Sequence, residues 1–516
     1  MSIIMTITLP IRFRKRVKEI ALSALTILTL LSCTDQIADA PLPRLLSLSF
    51  SINDNPMQLM ENVNGEIVGD SIVECWVPNI MSSKELIANF AFDGELVTIN
   101  GNLAESGSTT INYKTPATLI VASGDKARKY TVYVHTNTGL PILWIETDNR
   151  AEITSKEIYQ RGTFRLVEDI RTRSAGDIIE GCLGIRGRGN STWEMPKKPY
   201  RLKLDAKQPL LDEHEDEDWV LLNNYADKTM LRIQTAFYMG RISNLDYTPH
   251  SHFVELMLNG QYNGTYLLCE KLKVSKHRVN VGSDGFLIEI DGRAEGGKHT
   301  TFTISHLAQP ASIEDPATEA DSEGLQYAQD FCNLADSVLY SRHFADPEEG
   351  WRKYMDMDSF VDWYLINEIT KNNDANMFSS CYMHLKHGGK LKMGPLWDFD
   401  IAYGNVDYND NSYPMGFWVK EAEWFFRMFQ DPAFVARVKE RFNYFYSRKD
   451  DIMREIDENA IYLKYAAREN ENRWHTFYTY TWPNYTIWGN YNNEIQAMKE
   501  WLNARFEWLK TEFDKM

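Results

Sequence analysis

Two carboxylate motifs, Asn372-Asn373-Asp374-Ala375-Asn376 and Trp397-Asp398-Phe399-Asp400, stand about two dozen residues apart. Far upstream, Ile185-Arg186-Gly187-Arg188-Gly189-Asn190-Ser191-Thr192-Trp193 couples two glycines to two arginines. It runs on into Pro196-Lys197-Lys198-Pro199-Tyr200-Arg201-Leu202-Lys203-Leu204. Glycines let backbone N–H groups approach phosphate oxygens closely, and Arg and Lys neutralise their charge. Carboxylates that follow such a loop suit phosphoryl transfer, in which one Asp orients or deprotonates the attacking hydroxyl while a second Asp and an Asn hold Mg2+. Alone, each segment reads as a helix cap, a solvated acid or a basic surface turn. The ordered set points to chemistry.

Secondary-structure patterns place these residues. Arg201 and Lys203 share one face of a strand, opposite Leu202 and Leu204, and a strand Lys behind a Gly-rich loop is the phosphate grip of kinases. A helical stretch, Trp363 to Thr370, leads into Asp374. An apolar-polar run, Leu391 to Leu396, leads into Asp398, so a short hairpin separates the motifs. Asp227 can cap a helix carrying Met230, Ile233 and Phe237 and reaching Met239. Phe253–Leu258 and Thr265–Cys269 flank a hairpin turn at Asn259 to Gly264. The last helix carries Ile495, Met498, Leu502 and Leu509 on one stripe. Strands first and helices after about Trp351 predict a two-lobed α+β domain over residues 140–516, opened by the buried-strand pattern Ile142 to Ile145. Before the break at Asn137 to Pro141, residues 41–138 alternate in short stretches. This predicts a small all-β sandwich of immunoglobulin-like type, a spacer without a catalytic constellation.

Three motifs in order, Arg186-Gly187-x-Gly189-Asn190-Ser191-Thr192-Trp193, Pro196-Lys197-Lys198-Pro199-Tyr200-Arg201 and Trp397-Asp398-Phe399-Asp400, resemble the spore coat protein H (CotH) family of atypical kinases. Asp227-Lys228-Thr229-x-x-Arg232 and Asn259-Gly260-x-Tyr262-x-Gly264-x-Tyr266-x-x-x-Glu270 support the match, which covers roughly Leu140 to the C-terminus. The resemblance implies an atypical protein-kinase fold, ATP with Mg2+ or Mn2+, and transfer of the γ-phosphoryl group to Ser or Thr hydroxyls of a Ser-rich protein substrate. By motif position it makes Asp374 the catalytic Asp, Asp398 a metal ligand, and Asn376 and Asp400 further ligands. Lys203 then sits on the phosphates with Arg186, Gly187, Arg188, Gly189, Asn190 and Ser191, and Glu270 lies toward the adenine. The helix from Asp227 has no Glu to pair with Lys203, which leaves Glu270 or Glu289 for that role.

A formal charge of −17 argues against a nucleic-acid partner, whose phosphates demand many Lys and Arg. Arg12, Arg14, Lys15, Arg16 and Lys18 precede an apolar run, Ile20 to Leu31, too short to span a bilayer. Leu30-Leu31-Ser32-Cys33 resembles a lipobox. Residues 1–32 are therefore expected to be a signal peptide, Cys33 a lipidation site that tethers an exported lipoprotein to a membrane, and 33–40 a linker. The remaining cysteines suggest neither a disulfide framework nor a zinc site. Gly292 to Lys298 nearly spells a P-loop, but His299 and a strand-like Thr300 to Thr303 follow. His250 and His252 read as a strand edge without an acidic partner in register, and Asp212 to Asp218 as a solvated loop. The aromatic-dense stretch Trp474 to Tyr491 reads as packing of the C-terminal helices. Its alternative, stacking on sugars or a partner protein, feeds the rival reading of a non-catalytic surface adhesin or glycan-binding lipoprotein on a kinase-like scaffold.

Overall fold

The computed structural model describes residues 42–78, 85–168, 178–293, 300–320 and 322–516. The expected signal peptide, Cys33 and the linker lie outside the described residues, as do Lys298 and His299. Among the described residues no helix is long and apolar enough to cross a membrane.

The architecture is mixed α+β. The described residues between 44 and 136 form β-strands joined by turns, without a helix. Arg44–Phe50 pairs with Val63–Asn64 and Asn89–Asp93, while Ile72–Val77 lies parallel to Lys126–Thr136 in a second sheet. Alternating inward residues such as Leu48, Phe50, Val73, Leu119 and Val132 give this unit its own core.

From Ile142 the chain closes a seven-stranded barrel. Its strands follow the order Ile142–Thr147, Gln160–Val167, Ile178–Gly187, Tyr200–Gln208, Asp216–Leu222, Gln261–Glu270 and Ser251–Leu258, and the last runs parallel to the first. Period-two alternation explains the filling: Leu183, Ile185, Leu202, Leu204 and Leu256 point inward and are essentially fully buried. Each such side chain contributes about 1.5–3 kcal/mol on leaving water. The strand Asp216–Leu222 is apolar on both faces from Trp219 onward. Trp219 and Leu221 enter the barrel, while Val220 and Leu222 join the larger core outside it.

That larger core binds a five-stranded sheet to the helices. The sheet order is Thr301–Ile304, Gln309–Asp315, Phe286–Ile290, Cys381–Leu385 and Leu391–Met393. Helix boundaries follow local chemistry: Ser322 caps Glu323–Leu339 by accepting from Leu325 N, and Asp356 caps Met357–Thr370 by accepting from Ser359 N. The helix expected from Asp227 begins at Arg232. Asp227 instead accepts from the backbone N–H groups of Thr229 and Arg232 at 3.1 and 2.9 Å, holding the turn ahead of it. The C-terminal helix, Tyr491–Lys515, buries Ile495, Met498, Leu502 and Leu509 on one stripe.

The C-terminal part also reaches back to the barrel. Asn470, on helix Lys464–Trp474, accepts from the wholly buried Lys197 ammonium at 2.7 Å and from Thr265 N at 3.3 Å. Gly264 makes this approach possible: with φ of 98°, a Cβ there would stand 2.6 Å from Asn470 Oδ1.

Candidate functional site

The helix Met357–Thr370 is buried along nearly its whole length and ends where Lys371 turns left-handed at φ 48°. The Lys371 ammonium donates to the carbonyls of Asp410, Tyr413 and Met415, which secures the turn. The 3-10 turn Asn373–Ala375 follows and carries Asp374. Asn373 Oδ1 accepts from Asn409 and Asn411, both at 3.0 Å, and its carbonyl accepts from Trp418 Nε1. The hairpin Cys381–Leu385 and Leu391–Met393 then delivers the chain to Trp397-Asp398-Phe399-Asp400, with Phe399 buried beneath. Asn372 Nδ2 donates to the Asp398 carbonyl at 3.2 Å, so one side chain ties the two acidic loops together. Asp398 itself has φ 63°, a conformation that Asp tolerates better than branched residues. Just beyond, Arg232 pairs with Asp227 and donates to the Ala402 carbonyl at 3.2 Å, so the Asp227-to-Arg232 motif supports this loop.

Asp374, Asp398, Asp400, Asp291 and Glu289 line a cavity of about 510 Å3, with the Gly189 to Thr192 turn also on its wall. Burial, with the Asp398 carboxylate next, raises the Asp374 carboxyl above its ordinary range, against a lowering by Arg293. Arg293 Nη2 and Asn373 Nδ2 both donate to Asp374 Oδ1, at 3.4 and 3.3 Å. Asp400 is raised well above the usual value by burial and then by Asp398, Asp227 and Asp374. Glu289 is pushed up to about 8 by burial and by Glu314 and Asp291. The acids repel one another here, and hard oxygen donors short of positive charge are the donor set that Mg2+ or Mn2+ requires. The donor chemistry of the cleft suits such an ion, while among the described residues the three acids whose ligand atoms lie within 4.8 Å of one another are Asp216, Glu217 and Asp218.

A second cavity, of about 630 Å3, adjoins the first through shared walls at Arg188, Gly189, Asn190, Tyr382 and Trp397. Its charge is opposite: Arg186, Arg188, Arg201, Lys271 and Lys156 line it, beside apolar Val220, Leu272 and Leu287. Arg186 and Arg201 stand directly opposite each other on paired strands. Each has a buried Nε without a hydrogen-bond partner among the described residues. Arg188 lies over Trp397, 5.5 Å from the ring centroid, at the junction of the cavities. The glycines between these arginines are spatially required. A Cβ on Gly187 would fall 2.3 Å from the Trp193 ring, and Gly189, at φ 81°, would meet Thr192 Oγ1 at 2.2 Å.

The structure thus brings Asp374, Asp398, Asp400, Arg186, Arg188, Gly189, Asn190 and Ser191 to one cleft, with Gly187 shaping its loop. Lys203 is not brought there. It is exposed and lines neither cavity, because it lies two residues farther along the strand than Arg201, about 7 Å away at strand rise. Arg201 takes the inner place and pairs with Asp218 at 2.9 Å, so neither Glu270 nor Glu289 serves a phosphate-gripping Lys203. Glu270 is buried off the cleft, accepting from Tyr247 Oη, His250 N and Arg278 Nε, and the next residues, Lys271 and Leu272, line the basic cavity instead. Asn376 also lies off the cavity walls. Sequence reasoning missed Arg201 and Lys271 as cleft residues, and Asp291 and Arg293 beside the acids. Arg201 was legible within the Pro-Lys-Lys-Pro-Tyr-Arg motif, whereas the other three depend on folding.

Two further expectations change. Asp216 and Asp218 are buried at the start of a strand rather than solvated, and the group Asp216, Glu217 and Asp218 is countered by Lys273 within about 3 Å of all three. Their charge is already met by protein cations. His250 and His252 do have an acidic partner: Glu213, from the loop before Asp216, bonds to both rings at 2.5 and 2.7 Å.

A family model described as CotH kinase protein matches residues 185–509, well over half of the chain. The chain belongs to the CotH kinase family. The match begins beside Arg186 and encloses both acidic motifs, so the CotH region contains all of the acidic cavity and all of the basic one except Lys156 and Glu157. No curated protein matches. Among solved structures, one from Bacteroides thetaiotaomicron, provisionally described as a glycoside hydrolase, is 14% identical and covers 56% of this chain and 82% of its own, with a TM-score of 0.16. That overlap is too low to inform fold or function.

Proposed function

We propose that this CotH kinase transfers the γ-phosphoryl group of ATP to Ser or Thr hydroxyls of exported or surface proteins. One observation carries the reading: a single cleft has a basic wall of Arg186, Arg188, Arg201 and Lys271 adjoining an acidic wall of Asp374, Asp398 and Asp400. A polyphosphate suits the first wall and a hydroxyl acceptor with its metal suits the second.

In this reading the apolar patch of Val220, Leu272 and Leu287 takes the base, and the arginines take the phosphates through charge-assisted hydrogen bonds. Asp398, with Asp400, holds Mg2+ or Mn2+, which when bound supplies charge neutralisation at the transferring group. Asp374 accepts the proton of the acceptor hydroxyl, a task that its raised pKa favours. Both of its hydrogen bonds from Arg293 and Asn373 reach Oδ1, which orients Oδ2 as the oxygen for the proton. The all-β unit of residues 44–136 serves as an immunoglobulin-like spacer, with Cys33 as the lipid anchor.

The test is incubation of the purified protein with labelled ATP and Mg2+ or Mn2+, beside Asp374→Ala and Asp398→Ala. Label on protein that both substitutions abolish is the expected result. No label and no nucleotide-induced melting shift would sink the proposal, and label that survives both substitutions would sink the site.

A further inference from the structure

Between Arg473 and Glu494 the chain runs twenty residues without Asp, Glu, Lys or Arg, although such residues make up 25% of the protein. Eight are aromatic, four are Thr and four are Asn. Residues 475–490 form neither helix nor strand, and the expected core packing holds for Phe477 and Tyr491 but not for the rings between them. Of nine aromatic side chains exposed among the described residues, five lie here: Tyr478, Tyr480, Trp482, Tyr485 and Trp488. A sixth, Tyr413, packs against Tyr485.

Short polar bolts fix the loop. Asn484, buried, donates to the Ala226 carbonyl at 2.8 Å and to Asn405 Oδ1 at 3.1 Å, Lys228 donates to the Thr479 carbonyl, and Tyr480 Oη donates to Asp407. Glu471 accepts from the backbone of Thr476 and Phe477. The rings are therefore held outward by a braced backbone, which lowers the ordering cost of binding. Trp482 also lines the acidic cavity, where it stacks with Tyr408 at 6.1 Å, so this surface is continuous with the cleft.

The composition selects the occupant. Protein interfaces join Arg and Met to their aromatic anchors, and this stretch contains neither. A charged peptide needs countercharge, which the stretch lacks. A neutral sugar offers C–H faces that stack on Trp and Tyr and hydroxyls that bond to Thr and Asn, and the loop supplies both, side by side. We propose that the 475–490 loop is a binding platform for a neutral oligosaccharide, seated at the mouth of the cleft. This goes beyond the phosphotransfer reading and does not depend on it.

Affinity electrophoresis through gels containing neutral α-glucan, β-glucan, mannan or xylan tests the platform, with Trp fluorescence quenching on the matching oligosaccharides. Retardation by at least one glycan is expected. Trp482→Ala and Trp488→Ala should each weaken it by about tenfold, and the pair should abolish it, with the melting temperature retained. Retardation by none of the four glycans overturns the proposal, as does binding that survives the double substitution. So does a double variant that instead loses self-association in sedimentation, which would make the loop a protein interface. Asp398→Ala must leave glycan binding intact. A protein that binds glycan but never takes label from ATP would retain this platform and lose the kinase reading, and the reverse result would do the opposite.

Discussion

Arg201 and Lys203 offer a clean contrast, because motif position favours the lysine and the cleft contains the arginine. In Arg201→Met the methionine keeps much of the side-chain volume and removes the guanidinium. Asp218, the partner of Arg201 at 2.9 Å, keeps its contact with Lys273 at 3.0 Å, so no buried carboxylate is abandoned and the barrel should remain folded. What is lost is a cation whose buried Nε has no partner among the described residues and which lines the basic cavity. One charge-assisted hydrogen bond to a phosphate contributes about 1.5–3 kcal/mol, so nucleotide affinity should fall roughly 10- to 150-fold. Lys203→Met, about 7 Å farther out, should change it by less than about twofold. Calorimetric titration with ATP and Mg2+, and KM from phosphate transfer, measure both variants. Arg201→Lys should recover only part of the loss, since an ammonium cannot reproduce the planar fork. If Lys203→Met abolishes binding while Arg201→Met does not, the polarity argument for the cleft fails.

Burial raises the Asp374 carboxyl and Arg293 holds it down, so the acid limb of the activity–pH profile should sit above that of an ordinary carboxylate. Arg293→Gln should move that limb to higher pH; a limb that stays or falls contradicts the role of Asp374 as base. Glu368 and Arg505 are both fully buried and paired at 2.6 Å, and Glu368 also accepts from Trp418 N and Lys420 N. Removing either charge alone should cost about 3–5 kcal/mol in urea unfolding, whereas replacing both by Met should cost less than the sum. Lys197 is lowered to about 7 by burial, so above that pH the folded chain holds fewer protons than the unfolded one up to about 10.5. Its contribution to stability therefore rises with pH across that window, on the order of 5 kcal/mol. Lys197→Met should flatten the rise in urea midpoints between about pH 7 and 9, and an unchanged slope would refute the assignment.

Legibility followed locality. Helix Met357–Thr370, the hairpin after it and the strand alternation around Leu202 depend on short-range periodicity and could be read directly. Closure of the barrel could not, because the pairing of Ile142–Ile145 with Glu255–Leu258 spans more than a hundred residues. Lys271, Asp291 and Arg293 enter the cleft only through that closure and the central strand Phe286–Ile290, so no motif advertises them. Lys203 was misplaced because alternation specifies a face of a strand and not a position along it. The aromatic stretch was misread because density of rings says nothing of burial. Thr481, Pro483 and Asn484 take the inward places there, leaving Trp482 and Tyr485 outside.

Arg505 has a consequence for synthesis. Besides pairing with Glu368, it donates to the carbonyls of Pro414 and Gly416, next to the Trp418 that holds Asn373 beside Asp374. A chain emerging from the ribosome displays Asp374 long before the guanidinium that steadies its surroundings exists. Under the proposed phosphotransfer, nascent chains stalled between residues 484 and 505 should therefore carry every cleft residue and yet transfer no phosphate.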